Sequence, residues 1–284
     1  MALSRRVRPG WHHDQVTEPD PGPEIGSFAA LGDSFPEGLN DPRPGGGFVG
    51  WADRVAAALA ERAPEFRYAN LAVRGKLLDQ VIAEQVPRAI ELAPDLVSLA
   101  AGGNDILRGT DVDVLGARFE AAVARLRAAG CRVLVFTGFD PRGFPVIRLL
   151  RGRIAAYDMH LRAIADDHGC QLVDLWSMRV LRDPRAWSPD RLHLTSEGHR
   201  RVALRAREVL GLPAPEDWRA PLPAPWAADG RDPETRGAAW LAARRQDARW
   251  ARQYAMPWVR RRLTGASSGD GLDPKRPDLL PVTW

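Results

Sequence analysis

The 284-residue sequence has few cysteines, few lysines and no long apolar segment. Its two cysteines, Cys131 and Cys170, are too few for the disulfide framework of a small secreted domain. No run approaches the ~20 apolar residues that a transmembrane helix needs. The glycine run at 45–47 lacks the lysine and hydroxyl residue of a phosphate-binding loop. These absences exclude a disulfide-rich scaffold, a membrane bundle and a P-loop protein.

Charge is nearly balanced along the whole chain. There are 40 Lys and Arg residues against 36 Asp and Glu residues, and only Lys76 and Lys275 are lysines. This small excess does not predict a nucleic-acid partner. Hydrophobic residues make up 45% and charged residues 27%, which is typical of a globular domain and excludes wholesale disorder.

The first residues differ in composition from the middle of the chain. Residues 1–24 contain four prolines and several arginines, with no apolar stretch after the arginines. This pattern predicts a loose tail rather than a secretory signal. Together with the scarcity of cysteine, it favours a cytoplasmic protein.

The last 72 residues, 213–284, are predicted to be an extension that begins with a Pro-rich linker at 213–227. Residues 236–263 then predict a basic helix, with eight arginines against one aspartate. Trp250, Tyr254 and Trp258 are spaced by four and therefore share one face of that helix. We favour docking of this face on the central domain. Contact with an anionic membrane surface, or with another protein or nucleic acid, stays open. Residues 265–284 are predicted as coil.

Residues 25–212 alternate short apolar runs with helical stretches. The runs lie at 26–31, 68–72, 96–101, 132–137 and 171–175, and the helices near 48–63, 77–92, 111–129, 153–168 and 195–210. Because most runs do not alternate apolar and polar residues, they suit parallel strands that are buried on both faces. The order predicts an α/β domain, a three-layer αβα sandwich with a flavodoxin-like, mostly parallel five-stranded sheet. Its active site is expected beyond the carboxyl ends of the strands.

Polar residues and glycines follow these strands in a distinctive order. The first strand leads into Gly32-Asp33-Ser34, with Gly38 nearby, and the second is followed by Gly75. The third leads into Gly102-Gly103-Asn104-Asp105, and Asp190 and His193 stand near the end of the domain. In this combination and order, the sequence resembles the SGNH hydrolases, the superfamily of GDSL-type esterases and lipases, over residues 25–211. One departure is Phe35, where the superfamily commonly has leucine, and we expect it to affect substrate fit rather than chemistry.

The resemblance implies a serine hydrolase site. Ser34 is the expected nucleophile, His193 the base that activates it, and Asp190 the acid that orients the imidazole. The oxyanion hole is expected from the backbone N–H groups of Ser34 and Gly75 and the side-chain amide of Asn104. Such a reaction needs no cofactor, and the histidines, cysteines and acidic residues of the sequence show no metal-ligand spacing.

The remaining polar residues are interpreted as structural. Asp33 is expected to organise the turn at the nucleophile by accepting backbone hydrogen bonds, and Asp105 to pin the loop of Asn104. His199, six residues after His193, is expected to make a structural hydrogen bond. The loops at 35–50 and 139–152 are expected to rim the pocket, the second either as a lid or as a packed cap.

The predicted function is hydrolysis of a small or medium acyl ester through an acyl-enzyme. An O-acetyl sugar, a short-chain lipid ester or a thioester would suit the same residues. The expected partner is this small-molecule ester, without nucleic acid, and membrane contact would come from 236–263. Acyl transfer to another alcohol is the alternative within enzymes. A scaffold that acts through the C-terminal extension is the alternative from another class.

Overall fold

In the computed structural model, a six-stranded sheet lies between two layers of helices. The structure describes residues 24–144, 146–222, 252 and 267–282, so the predicted tail and nearly all of the predicted basic helix at 236–263 lie outside the described residues. The sheet order is β5-β4-β3-β1-β2-β6. The strands are β1 Ser27–Gly32, β2 Arg67–Asn70, β3 Leu96–Ala100, β4 Arg132–Phe136, β5 Gln171–Val173 and β6 Arg276–Pro281.

The first five strands confirm the predicted flavodoxin-like arrangement. Their order, 2-1-3-4-5, and their parallel pairing are those of a doubly wound sheet. In such a sheet the chain turns to opposite sides after β1 and after β3, which opens a crevice at the carboxyl ends of these two strands.

The helices follow the predicted pattern closely. Five predicted stretches correspond to α2, to the combination of α3 and α4, and to α6, α7 and α8, whereas the short helices α1 and α5 are additional. A π-helical turn, Val81–Gln85, joins α3 to α4. Within the described residues, no helix combines the length and apolarity that crossing a bilayer requires. The helices are α1 Ser34–Glu37, α2 Gly50–Ala60, α3 Leu78–Gln80, α4 Val86–Leu92, α5 Gly103–Arg108, α6 Val112–Ala128, α7 Arg151–Asp167 and α8 Ser196–Val209.

Two apolar cores cover the two faces of the sheet. Along β1, Phe28 and Ala30 belong to the core shared with α2 and α8, and Ala29 and Leu31 to the core shared with α4, α6 and α7. Successive residues of a strand point to opposite faces, so a strand buried on both faces needs an uninterrupted apolar run. This explains why the apolar runs of the sequence predict the strands well.

The C-terminal residues hold the main correction to the sequence prediction. The prediction of coil at 265–284 is wrong for Arg276–Pro281, which forms β6 and pairs antiparallel with β2. The sheet therefore has six strands rather than five. Earlier in the predicted linker, Trp218 and Leu222 are buried and belong to the core on the α2 and α8 face. The boundary at residue 212 stays a prediction, although described residues beyond it pack on both the sheet and its helices.

Candidate active site

The turn after β1 places Ser34 at the carboxyl edge of the sheet. Gly32 has φ +144°, and a Cβ atom there would lie 2.0 Å from the carbonyl oxygen of Ala100 on the neighbouring strand. Only glycine permits so close an approach of the two strands. Asp33 then caps the short helix α1, since its Oδ1 accepts a hydrogen bond from the backbone N–H of Phe35 at 3.1 Å. We name α1, Ser34–Glu37, the nucleophile turn.

A chain of hydrogen bonds links Ser34 to His193 and Asp190. His193 Nε2 lies 3.0 Å from Ser34 Oγ, and His193 Nδ1 lies 2.7 Å from Asp190 Oδ2. A carboxylate can only accept, so Nδ1 carries the proton and Nε2 of the neutral ring is free to accept one from the serine hydroxyl. This is the geometry that a serine nucleophile and its base require.

The carboxylate of Asp190 is held in place by three further donors. Its Oδ1 accepts from the backbone N–H groups of Leu192 and His193, each at 3.0 Å, and its Oδ2 accepts from Asn40 Nδ2 at 2.9 Å. Burial opposes the ionisation of Asp190. The hydrogen bond and charge of His193 and the two backbone donors outweigh burial and lower the pKa to about 2. Asp190 therefore stays charged and orients the imidazole across the neutral range.

Asn104 and Gly75 follow the two strands, β3 and β2, that flank β1 in the sheet. Asn104 lies on α5 directly after β3, and its Nδ2 donates to Asp33 Oδ2 at 3.1 Å and to the carbonyl of Lys76 at 3.0 Å. Gly75 has φ +76°, in the left-handed region that favours glycine. The contact with Lys76 ties the amide of Asn104 to the loop that carries Gly75.

The carboxyl group of Asp33 lies in surroundings that oppose its ionisation. Its side chain is buried, and burial raises the pKa from 3.8 to about 6. The N–H of Phe35 and the charge of His193 oppose this rise, whereas the charges of Asp105 and Glu37 add to it. Because the two oxygens of Asp33 accept from Phe35 and Asn104, the carboxylate joins two strand ends and does more than cap its own turn.

Asp105 and His199 each contact a backbone group near the site. Asp105 Oδ2 accepts from the backbone N–H of Leu78 at 3.0 Å, which fixes the start of α3 against α5. His199 Nε2 lies 3.3 Å from the carbonyl of Leu39, and burial lowers the pKa of this imidazole to about 4. A neutral His199 donates to that carbonyl, and its ring stacks near Phe35 at 6.4 Å between centroids.

A cavity of about 200 Å³ opens beside Ser34 and His193. Its wall is largely apolar, and this volume is smaller than the roughly 300–1,000 Å³ of pockets for drug-sized ligands. Phe35, the departure from the superfamily pattern, lies in this wall and contacts the rings of Trp51 and Phe136 at 5.3 and 5.6 Å. Other apolar lining residues include Leu39, Ile106, Leu107, Phe139, Ile154, Leu161, Leu175, Leu181, Trp187, Leu192 and Leu194.

The loop at 139–152 is partly packed down. Phe139 and Phe144 contact the indole of Trp187, with centroid distances of 4.1 and 5.3 Å. Val146 and Leu149 remain 54% and 79% exposed. Phe139 thus lines the cavity, and Val146 and Leu149 project into solvent, whereas Ile147 and Leu150 pack against the two cores.

Sequence reasoning missed three residues that organise the site. Asn40 supports Asp190 from the loop after the nucleophile turn, and Glu37 accepts from the backbone N–H of Arg74 at 2.9 Å. Gln85, at the end of the π-helical turn, makes two hydrogen bonds of 2.8 and 2.9 Å to the N–H and carbonyl of Gly32. Only the left-handed tendency of asparagine in a Gly- and Pro-rich loop was a signal for Asn40, which has φ +69°.

Within the ranges that the structure describes, no group of three or more His, Cys, Asp or Glu side chains could hold a metal ion.

Comparison with known proteins adds to this geometry. A model of the GDSL-like lipase/acylhydrolase family matches residues 30–201, which is more than half of the chain. No curated protein matches the sequence. Among solved structures, an α/β hydrolase from the metagenome of Lake Arreo, Spain, is 22% identical with a TM-score of 0.57, over 66% of this chain and 95% of that one. An acetylxylan esterase from Geobacillus stearothermophilus is 23% identical with a TM-score of 0.57, over 69% of this chain and 98% of that one. At these identities the solved structures show the fold alone.

Proposed function

Because the chain belongs to the GDSL-like lipase/acylhydrolase family, we propose that it hydrolyses carboxylic esters of small or medium acyl chain at Ser34. The observation that carries this proposal is the hydrogen-bonded chain from Ser34 through His193 to Asp190, beside an apolar cavity. Membership of the family makes the protein a hydrolase, and the geometry supports the assignment of the residues.

The first half of the proposed reaction forms an acyl-enzyme. Ser34 Oγ attacks the ester carbonyl carbon while His193 Nε2 takes the hydroxyl proton. Asp190, which keeps its charge, stabilises the imidazolium without being protonated itself. The tetrahedral intermediate then collapses: the bond to the alcohol oxygen breaks, and His193 returns its proton to that oxygen. The acyl group remains on Ser34.

The second half releases the acid. Water gives a proton to His193 Nε2 and attacks the acyl carbon, and the bond to Ser34 Oγ breaks as His193 returns the proton to the serine. The same site would transfer the acyl group to another alcohol if that alcohol replaced water.

The negative charge of each tetrahedral intermediate is assigned to the backbone N–H groups of Ser34 and Gly75 and the amide of Asn104. In the free protein, both protons of Asn104 Nδ2 are directed at Asp33 Oδ2 and the carbonyl of Lys76. The oxyanion would therefore share or displace one of these contacts. The two backbone N–H groups are held by the fold, so they reorganise little when the charge develops.

The cavity supports a limit on acyl size. Its volume of about 200 Å³ and its apolar wall suit a short hydrocarbon chain. An acetyl group, which the name of the Geobacillus neighbour implies for that enzyme, would occupy only part of it. We expect turnover of acetyl to medium-chain esters and a decline for longer chains.

The test needs no knowledge of the natural ester. The full-length protein is treated with a fluorophosphonate, and the adduct is mapped by mass spectrometry. His193→Ala is the matched variant, because it keeps Ser34 but removes the base. We expect a stoichiometric adduct on Ser34 that the variant loses, and hydrolysis of p-nitrophenyl acetate to octanoate by the wild type alone. Labelling of folded protein at another serine, or equal labelling of the variant, would refute the proposed mechanism.

A further inference from the structure

The C-terminal residues 267–282 run along the edge of the sheet that lies beside the candidate active site. We name them the C-terminal strap. Their strand β6 pairs with β2, with Arg67 opposite Pro281 and Tyr68 opposite Leu280. They lie entirely outside residues 30–201, to which the family model matches. The strap is therefore a feature of this chain that the family match does not cover.

Lys275 extends from the strap to the nucleophile turn. Its Nζ donates to the carbonyl of Glu37 at 2.6 Å, to the carbonyl of Val49 at 3.0 Å and to Asp53 Oδ2 at 2.5 Å. The carbonyl of Phe48 lies at 3.2 Å. Carbonyl groups in the last turn of a helix lack a partner within the helix, and Glu37 is the last residue of the nucleophile turn. Lys275 supplies that partner.

Glu37 also contacts the loop that carries Gly75. Its Oε2 accepts from the backbone N–H of Arg74 at 2.9 Å, and its Oε1 accepts from Arg74 Nε at 3.0 Å. The same residue thus receives Lys275 at its backbone carbonyl and holds Arg74 with its carboxylate. Gly75, the expected oxyanion donor, follows Arg74 directly.

The strap also contacts this loop directly. A Cβ atom at Gly269 would lie 2.0 Å from the carbonyl oxygen of Arg74, and one at Gly75 would lie 2.2 Å from Ser267 Oγ. Side chains at either position would force the two segments apart. The Arg74–Gly75 loop therefore lies between the strap on one side and Glu37 on the other.

We propose that the C-terminal strap sets the position of Gly75 relative to Ser34, and that Lys275 and Gly269 are positioning residues for ester hydrolysis. This inference rests on the proposed function for its kinetic consequences. Its structural content, that Lys275 and Gly269 fix the Arg74–Gly75 loop, can be measured without turnover. A misplacement of about 1 Å in a catalytic group can lower the rate about 100-fold, so small movements of the loop should be visible in kcat.

Replacement of Lys275 alone would leave the buried carboxylate of Asp53, which is 2% exposed, with only the more distant guanidinium of Arg43, at 3.8 Å. The informative variant is therefore Lys275→Met combined with Asp53→Asn, compared with Asp53→Asn alone. The single variant keeps the contacts of Lys275 with the carbonyls and loses the ion pairs that Asp53 makes with Lys275 and Arg43, which the double variant loses as well. We expect the double variant to have a kcat roughly 10–100-fold below that of the single variant, with KM within about threefold, because the transition state alone uses the oxyanion donors. Equal kcat values in two folded variants would overturn the proposal.

Hydrogen exchange gives the readout that is independent of activity. Exchange in peptides covering residues 33–40 and 71–78 should be faster in the double variant than in Asp53→Asn. Unchanged exchange in both peptides would overturn the proposal, whether or not an ester is hydrolysed. If the wild type neither hydrolyses esters nor reacts with a fluorophosphonate while the exchange differs as expected, the proposed function fails and the positioning by the strap stands.

Gly269→Ala tests the second contact and covers the case in which the double variant does not fold. Its methyl group would collide with the carbonyl of Arg74, so kcat and fluorophosphonate reactivity should both fall roughly 10-fold or more. Gly271→Ala is the matched control: Gly271 has φ +73°, but a Cβ atom there meets nothing within 4 Å. It strains the same segment without contacting Arg74. Equal kinetics in the two variants would overturn the assignment of Gly269.

Discussion

Asp33→Asn tests the electrostatics of the nucleophile turn most directly. Asp33 is 8% exposed, and burial raises its pKa from 3.8 to about 6. Between pH 4 and pH 6 the folded state retains a proton that the unfolded chain releases, so the free energy of unfolding falls as pH rises and the loss is complete above the folded pKa. A shift of about two units corresponds to about 3 kcal/mol. The asparagine side chain of the variant is neutral at every pH, so the variant does not lose this free energy of unfolding as pH rises.

The difference in free energy of unfolding between the variant and the wild type should therefore grow by about 2 kcal/mol from pH 4.5 to pH 7.5. Urea denaturation at a series of pH values measures it. Loss of the contact with Asn104 changes the variant's stability to first order equally at every pH, so it does not alter the slope.

Asp158→Asn is the matched control for this measurement. Asp158 is 3% exposed, and burial raises its pKa to about 8. The free energy of unfolding of Asp158→Asn, relative to that of the wild type, should keep rising up to about pH 9. The corresponding difference for Asp33→Asn should level off near pH 7. A pH-independent difference for Asp33→Asn would refute the reasoning that burial opposes its charge.

Two further substitutions test the oxyanion donors and the cavity. Asn104→Ala should lower kcat about 100–1,000-fold with KM within about threefold, because the amide is assigned to the oxyanion of the transition state. Steady-state kinetics on p-nitrophenyl acetate measures this change. An unchanged kcat would show that Asn104 is not an oxyanion donor. Ile154 lines the cavity, and Ile154→Phe makes the cavity smaller. The kcat/KM for an octanoyl ester should therefore fall roughly 10-fold or more relative to that for an acetyl ester. Equal losses for both esters would show that the acyl chain lies elsewhere.

Local patterns in the sequence predict most of the fold. Strands β1, β3 and β4 are buried on both faces, so each needs a short apolar run, and such runs are visible without any knowledge of the partners. The site residues Ser34, Asn104, Asp190 and His193 are equally visible, because each lies in a motif within a few positions of a strand end or in a short turn.

The sequence does not predict strand β6, because this segment has neither an apolar run nor a recognisable motif. Its residues, RPDLLP, contain two prolines and are partly exposed, which is typical of an edge strand and of coil alike. Only the exposed edge of β2 makes this segment a strand, and β2 lies about 200 residues earlier in the chain. The same holds for Asn40, whose partner Asp190 is 150 residues away.

The contacts of Asp33 change the role that sequence reasoning gave it. A residue that only caps a turn uses one carboxylate oxygen, and here Oδ1 does so with Phe35. The second oxygen accepts from Asn104, the side chain assigned to the oxyanion, although burial makes the charge on Asp33 unfavourable. On the other side of the nucleophile turn, Lys275 pairs with the buried carboxylate of Asp53 and donates to the carbonyl of Glu37. Buried charges of this kind are weak contributors to stability. Asp33 ties the nucleophile turn to Asn104, and Lys275 ties it to the strap, which contacts the loop of Gly75. Each contact thus bears on an assigned oxyanion donor, so positioning accounts for both where stability alone does not.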